Sequence, residues 1–205
     1  MKGIDCSTRI SATVAKQLKE TGYGFIARYL VPDKYSKHLT AEEAKIISDS
    51  GMDILSVWET TARRASGGGS TGQPDGATAF QLAREIGQPE GSAVYFAVDY
   101  DAHPADYDAI ERYLRAVGAQ LKGKYIVGVY GSHDMVEEML RRGAAKTAWQ
   151  TYAWSGGMKS AKANVYQYKN GVTVAGIEVD LNESYGGEGF WNMAGRSKMI
   201  DNITS

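Results

Sequence analysis

"VYFAVDYDAH", residues 94–103, decides the fold. Val94, Phe96, Val98 and Tyr100 alternate with Tyr95, Ala97, Asp99 and Asp101. In a strand, alternate side chains share a face. The first set is bulky and apolar and suits packing beneath helices. The second set then points into a barrel interior, with two carboxylates at the carboxyl end of the strand, where barrel enzymes build their active sites.

The same punctuation recurs on both sides. "KGIDCS", "GFIARYLV", "DILSVWETT", "AVYFAVDYD" and "YIVGVYGS" are strand-like, and each precedes a helical pattern. Thr40 followed by Glu43 has capping-box spacing, Ser132 suits an N-cap before His133, and Gly22, Gly51 and Gly143 stand where helices end. "KTAWQTYAW", "NVYQY" and "GIEVDLN" supply three more strands with short or missing helices between them. Strand–helix alternation repeated five times predicts an α/β fold with a parallel sheet. Eight strands fit a (β/α)8 TIM-like barrel, irregular at its closing strands; an open doubly wound sheet is the alternative. The barrel is expected over 2–184. Residues 185–205 lose strand character and read as a tail or linker, leading to a wall-binding module outside this chain.

The balance of 23 basic and 24 acidic residues gives a net charge of −1. It carries no basic excess of the kind nucleic-acid binding needs. The apolar runs are strand-sized, so neither a transmembrane helix nor membrane binding is expected, and the first strand leaves no room for a signal peptide. One cysteine allows no internal disulfide, and a monomer is expected. His38, His103 and His133 share no metal-ligand spacing with each other or with Cys6, so no metal and no cofactor are expected. Cys6 alternates with Asp5 and should be a small buried hydrophobe behind the sheet. "SGGGSTGQ", 66–73, fails as a phosphate loop because Gln73 stands where lysine is required; it reads as a mobile loop over the barrel mouth. "GSHD", 131–134, cannot fold back into a nucleophilic triad.

Other strand ends also bring acids: Asp5 in "GIDCS", Glu59 in "SVWETT" and Asp180 in "IEVDLN". Asp5, Glu59, Asp99, Asp101 and Asp180 form the candidate catalytic set. Clustered acids without matching bases suit general acid–base work, and crowded like charges raise the pKa of one member. Arg28, on an otherwise apolar strand, is expected at the mouth, paired with the acids or with a substrate carboxylate. Tyr95, Tyr130, Trp149 and Gln167 complete the expected substrate-binding set. Tyr and Trp, an apolar face with a polar tip, suit sugar rings.

"GIDCS", "YFAVDYD", "YIVGVYGS" and "VYQYKNGVTVAGIEVDLN" together resemble the family-25 glycoside hydrolases, the cell-wall lysozymes. "GFIARYL", "LTAEEAKIISDSGMDILSVWE" and "DGATAFQLAREIGQPEGSAVYFAVDYD" are similar to a related glycoside-hydrolase-like domain family of unknown function. The resemblance covers residues 2–184. It implies a barrel acting on peptidoglycan glycan at the bacterial cell wall, as a phage-type lysin or autolysin. It also places the lysozyme proton donor, a Glu, at Asp101, one methylene shorter. Asp101 or Glu59 would then donate the proton, Asp99 would stabilise positive charge or orient the N-acetyl group, and Asp5 and Asp180, matching the acids of the first and eighth strands, would set pKa values and hold substrate. The rival readings are a non-catalytic glycan-binding module on the same barrel and a barrel enzyme for another substrate.

Overall fold

The alternation at 94–101 is realised as strand only as far as Ala97. The structure is a computed structural model that describes residues 1–193. Its strands are β1 Lys2–Asp5, β2 Phe25–Tyr29, β3 Asp53–Trp58, β4 Ala93–Ala97, β5 Ile126–Gly131, β6 Thr147–Thr151, β7 Val165–Val174 and β8 Ile177–Ser184. They close in sequence order into a barrel. Neighbours from β1 to β7 pair in parallel, so the carboxyl ends of the first six strands share one rim.

The closing side departs from eight-fold repetition. β8 runs antiparallel to both β7 and β1. The cause is a two-residue turn, Ala175–Gly176, with φ of 50° and 79° between the paired residues Val174 and Ile177. Positive φ at both central positions defines the tight hairpin turn that matches strand twist. No helix can be inserted there, and the chain returns through the barrel wall instead.

Among the described residues, five α-helices pack outside: α1 Ala12–Glu20, α2 Ala41–Asp49, α3 Gly69–Glu85, α4 Tyr107–Leu121 and α5 His133–Arg141. Ser11 and Thr40 cap α1 and α2, each accepting a backbone N–H from three residues on. Only half of the capping box at Thr40 forms. The Glu43 carboxylate turns away from the helix start to Ile10 N and to Arg28. The stretch 66–73 is not a loop over the mouth. It forms a short 3-10 turn, Arg64–Gly67, and the first turns of α3. Gly72 and Gly76 let α3 lie directly on α4, since a methyl at Gly76 would stand 2.6 Å from the Val117 Cα. Arg64 on Asp75 and Tyr113 on Asp75 fasten the crossing.

The sheet separates two apolar cores. Ile4, Ile26, Ile54, Val94, Phe96 and Val129 face the helices. Phe25, Ala27, Leu55, Val57, Tyr95, Ala97 and Trp149 fill the barrel. Inside, large rings are fitted against glycines. A methyl at Gly3 would fall 2.2 Å from the Phe25 ring, and one at Gly128 2.7 Å from Tyr95. The barrel is thus plugged below the mouth, so any ligand enters from one end.

Residues 185–193 are part of this body rather than a linker. Phe190 stacks on Phe25 at 4.6 Å and closes the floor. Trp191 pairs with Ile54 and donates its indole N–H to Ser56 Oγ. Glycines in this stretch give it no strand signature, yet two aromatic rings are enough to seal the barrel base. Residues 194–205, the rest of the expected tail, lie outside the described residues.

Candidate active site

Asp5, Glu59, Asp99 and Asp180 line one polar cleft of about 530 Å3 at the rim, with Tyr29, Tyr130, Trp149, Gln167 and Asn170. That figure includes space open to solvent; about 180 Å3 of it can hold small molecules, less than the about 300–1,000 Å3 of drug-sized ligand sites. Three acids arrive from strand ends that converge by parallel pairing: Asp5 closes β1, Glu59 follows β3 and Asp99 lies two residues beyond β4. Asp180 arrives differently. It sits inside antiparallel β8, directly opposite Asp5 in the register, so it reaches the mouth from the entering half of its strand.

Asp5 and Asp180 are bound to one another through Gln167. The Gln167 amide nitrogen donates to Asp5 Oδ2 at 2.9 Å and to Asp180 Oδ2 at 3.2 Å. Its oxygen accepts from Tyr130 OH at 2.8 Å and Thr151 Oγ1 at 2.9 Å, which fixes the amide orientation. Asn182 donates to the same Asp5 oxygen at 2.7 Å while accepting the Trp149 indole N–H at 2.8 Å. Gly171 N donates to the other Asp180 oxygen. Tyr130 and Trp149 brace each other edge to face at 4.8 Å.

This network sets the acidity. Asp5 is 7% exposed, and burial first, then the Asp180 charge, raises its pKa from 3.8 to about 7, against the pull of the Asn182 and Gln167 hydrogen bonds. Asp99 is raised too, first by burial and then by Glu59, with Lys37 acting the other way. Burial likewise raises Asp180, offset by the Gly171 N–H. Lys37 Nζ bonds Glu59 at 2.9 Å and stands 3.9 Å from the centre of the Tyr29 ring. It is a cation placed at an otherwise acidic rim.

Three expected site residues lie elsewhere. Asp101 is exposed and does not line the cleft; the His103 ring stands 4.0 Å from its carboxylate. The strand has ended four residues earlier, so alternation no longer governs its direction. Arg28 is 0% exposed and points behind the sheet, away from the mouth. Ala27 and Tyr29 take the inward positions of β2, and Arg28 ties Glu43 of α2 at 2.7 Å to the Cys6 carbonyl. Tyr95 does face inward, but at mid-barrel depth. Its hydroxyl donates to the Glu188 carbonyl and bonds Thr147 below the cleft. Tyr130, Trp149 and Gln167 do line the cleft. Tyr29 also lines the cleft, and Lys37, Asn182 and Asn170 belong to the site although no motif marked them. Asn182 follows Asp180 by two on the inward face of β8, a signal that was available.

Among the described residues no group of His, Cys, Asp and Glu is arranged to hold a metal ion, and no helix is long and apolar enough to cross a membrane.

The family model described as "Rv2525c-like, glycoside hydrolase-like domain" matches residues 16–189. FadG, an uncharacterized protein of Bacillus subtilis, is 27% identical over 161 residues, 70% of this chain and 27% of its own length. The chain thus spans about a quarter of that curated relative. The crystal structure of Rv2525c, a Tat-secreted protein of Mycobacterium tuberculosis, superposes with a TM-score of 0.82 at 22% identity, covering 93% of this chain and 98% of that one. The modular autolysin LytC of Streptococcus pneumoniae, in complex with a synthetic peptidoglycan ligand, gives 0.64 at 16% identity over 90% of this chain and 46% of that one. A glycosyl hydrolase 25 of the same species is also among the fold neighbours.

Proposed function

The chain belongs to the Rv2525c-like, glycoside hydrolase-like domain family, and on that premise we propose that it cleaves glycosidic bonds in bacterial cell-wall glycan by carboxylate acid–base chemistry. The observation that carries the reading is the one-ended cleft holding Asp5, Glu59, Asp99 and Asp180, with Asp5 and Asp99 both raised in pKa. Glycoside hydrolysis uses one carboxyl that carries a proton to donate and a second, ionised one near the developing positive charge. Autolysin LytC, a fold neighbour, was captured with a peptidoglycan ligand, which supports the substrate class.

Asp99 is the proposed proton donor. It lies at the cleft mouth, is only partly buried, and is raised by desolvation and by Glu59. Its proton passes to the glycosidic oxygen as the bond to the anomeric carbon breaks. Asp180 stays ionised, stabilises the oxocarbenium-like centre and takes the proton of the water that adds there. Asp5, with Gln167 and Asn182, positions Asp180. Glu59, engaged by Lys37, keeps Asp99 high. Tyr130 and Trp149 form the wall against which a sugar ring lies. Action at the cell wall follows from this substrate.

Turnover of purified peptidoglycan, followed by new reducing ends, tests the reading. Asp99→Asn should lower turnover by about 10²–10⁴-fold, the range of general acid–base steps, while Asp101→Asn leaves it near wild type. A specific observation favours a second reading, glycan binding without cleavage: Asp101, where the lysozyme resemblance puts the donor, faces solvent. Peptidoglycan binding by the wild type that Asp180→Asn weakens, with no reducing ends released, would establish that reading instead.

A further inference from the structure

The loop that follows β6 carries the one exposed tryptophan of the chain. Trp154 is 45% exposed and its neighbour Tyr152 43%, whereas Trp58, Trp149 and Trp191 are all buried. Trp154 has φ of 53°. Bulky residues rarely adopt this left-handed conformation, and such outliers gather where function needs them. Core packing does not explain the residue, because it stays 45% exposed and belongs to neither apolar core. Conformation does not explain it either, since glycine would hold the same turn without strain.

The turn around it is tied by side-chain hydrogen bonds. Ser155 Oγ donates to the Thr151 carbonyl at 2.6 Å and accepts from His133 N at 3.0 Å, so it caps α5 in place of Ser132. The Gln150 amide nitrogen donates to the Met158 carbonyl, and its oxygen accepts from Ser160 N. Thr151 Oγ1 accepts from Ala153 N and donates to Gln167 Oε1, the amide that joins Asp5 to Asp180. An exposed tryptophan with a strained backbone therefore stands just beyond the carboxyl end of β6, three residues from Thr151, whose side chain is bonded into the acid network.

We infer that Trp154 is a sugar-stacking platform for a ring of the glycan next to the one held over the acids. Pyranose rings present C–H faces that pack on flat aromatics, and a turn already tied by these hydrogen bonds needs little backbone ordering on contact. This inference rests on the glycan reading above and adds a second subsite to it.

Tryptophan emission reads the site directly, because a single exposed indole should dominate acrylamide quenching. The probe is soluble peptidoglycan glycan strands with their peptides removed. Their addition should blue-shift the wild-type emission and protect it from acrylamide, and Trp154→Phe should abolish the quenchable component. Trp154→Gly should weaken the calorimetric Kd by about 2- to 12-fold, the worth of one aromatic contact, with the melting temperature level or raised because strain is relieved. Glycan that binds and is cleaved while Trp154 stays fully quenchable overturns the platform and leaves the hydrolase reading standing. Affinity loss in Trp154→Gly matched by a lower melting temperature overturns it as well, since the ring would then be structural. Neither binding nor cleavage by the wild type overturns both readings.

Discussion

Replacing Asp5 by Asn should stabilise the protein, and by an amount that depends on pH. In the native state Asp5 is buried, faces Asp180, and has its pKa raised from 3.8 to about 7. Below pH 4 the group is protonated both folded and unfolded, so its raised pKa costs nothing. Between pH 4 and 7 the unfolded chain releases the proton while the folded chain retains it. Stability therefore falls as pH rises through this window and levels off above the folded pKa. At 1.36 kcal/mol per pH unit the full penalty is about 4 kcal/mol. Asn keeps an oxygen to accept from Gln167 and Asn182, whose donors lie 2.9 and 2.7 Å from Asp5 Oδ2. It must, however, fit an amide where a carboxyl stood. A net gain of about 2–3 kcal/mol at pH 8, shrinking toward zero at pH 4, is the expected outcome. Urea unfolding of wild type and Asp5→Asn across pH 4–8 measures it. A variant equally or less stable than wild type at pH 8, or a gain independent of pH, would refute the idea that Asp5 is a strained, desolvated acid.

Other consequences follow from the same contacts. Lys37→Met removes the cation that lowers Asp99, so the falling alkaline limb of the turnover profile should move to higher pH; a limb that moves down or stays would separate Lys37 from the donor. Cys6 is buried behind the sheet, donates to the Thr8 carbonyl and has its pKa pushed up to about 12, first by burial. Native thiol labelling should accordingly be slow and should accelerate only on unfolding. Gly76→Ala drives a methyl against the α4 backbone at Val117 and should cost about 1–3 kcal/mol in urea unfolding.

Much of this molecule was legible because the strand period of two and barrel closure do most of the placing. Alternation in β4 put Tyr95 and Ala97 inside and Phe96 outside, and the same rule put Cys6 behind Asp5. Depth along a strand was not legible. Tyr95 and Tyr130 both point inward, yet one plugs the barrel and the other lines the cleft, because strand register decides height and register is a property of pairs. Asp101 was carried past the true end of β4, where its direction depends on the loop to Pro104. Arg28 shows a different error. Alternation with Ala27 and Tyr29 turns it outward, but its partner Glu43 stands on another element, so the strand sequence alone does not reveal that this arginine is half of a buried pair. The hairpin at Ala175–Gly176 carried a turn signal that makes β8 antiparallel, and the closing stretch with Phe190 and Trp191 hid its role among glycines.

The central claim is that the acids of the cleft break a glycosidic bond of cell-wall glycan. Digestion of purified peptidoglycan in heavy-oxygen water, with mass spectrometry of the soluble products, tests it most directly. Wild-type protein should release fragments carrying one heavy oxygen at a new sugar reducing end, and Asp99→Asn should release almost none. Heavy oxygen in peptide carboxyl groups, or release undiminished in Asp99→Asn, would contradict the account.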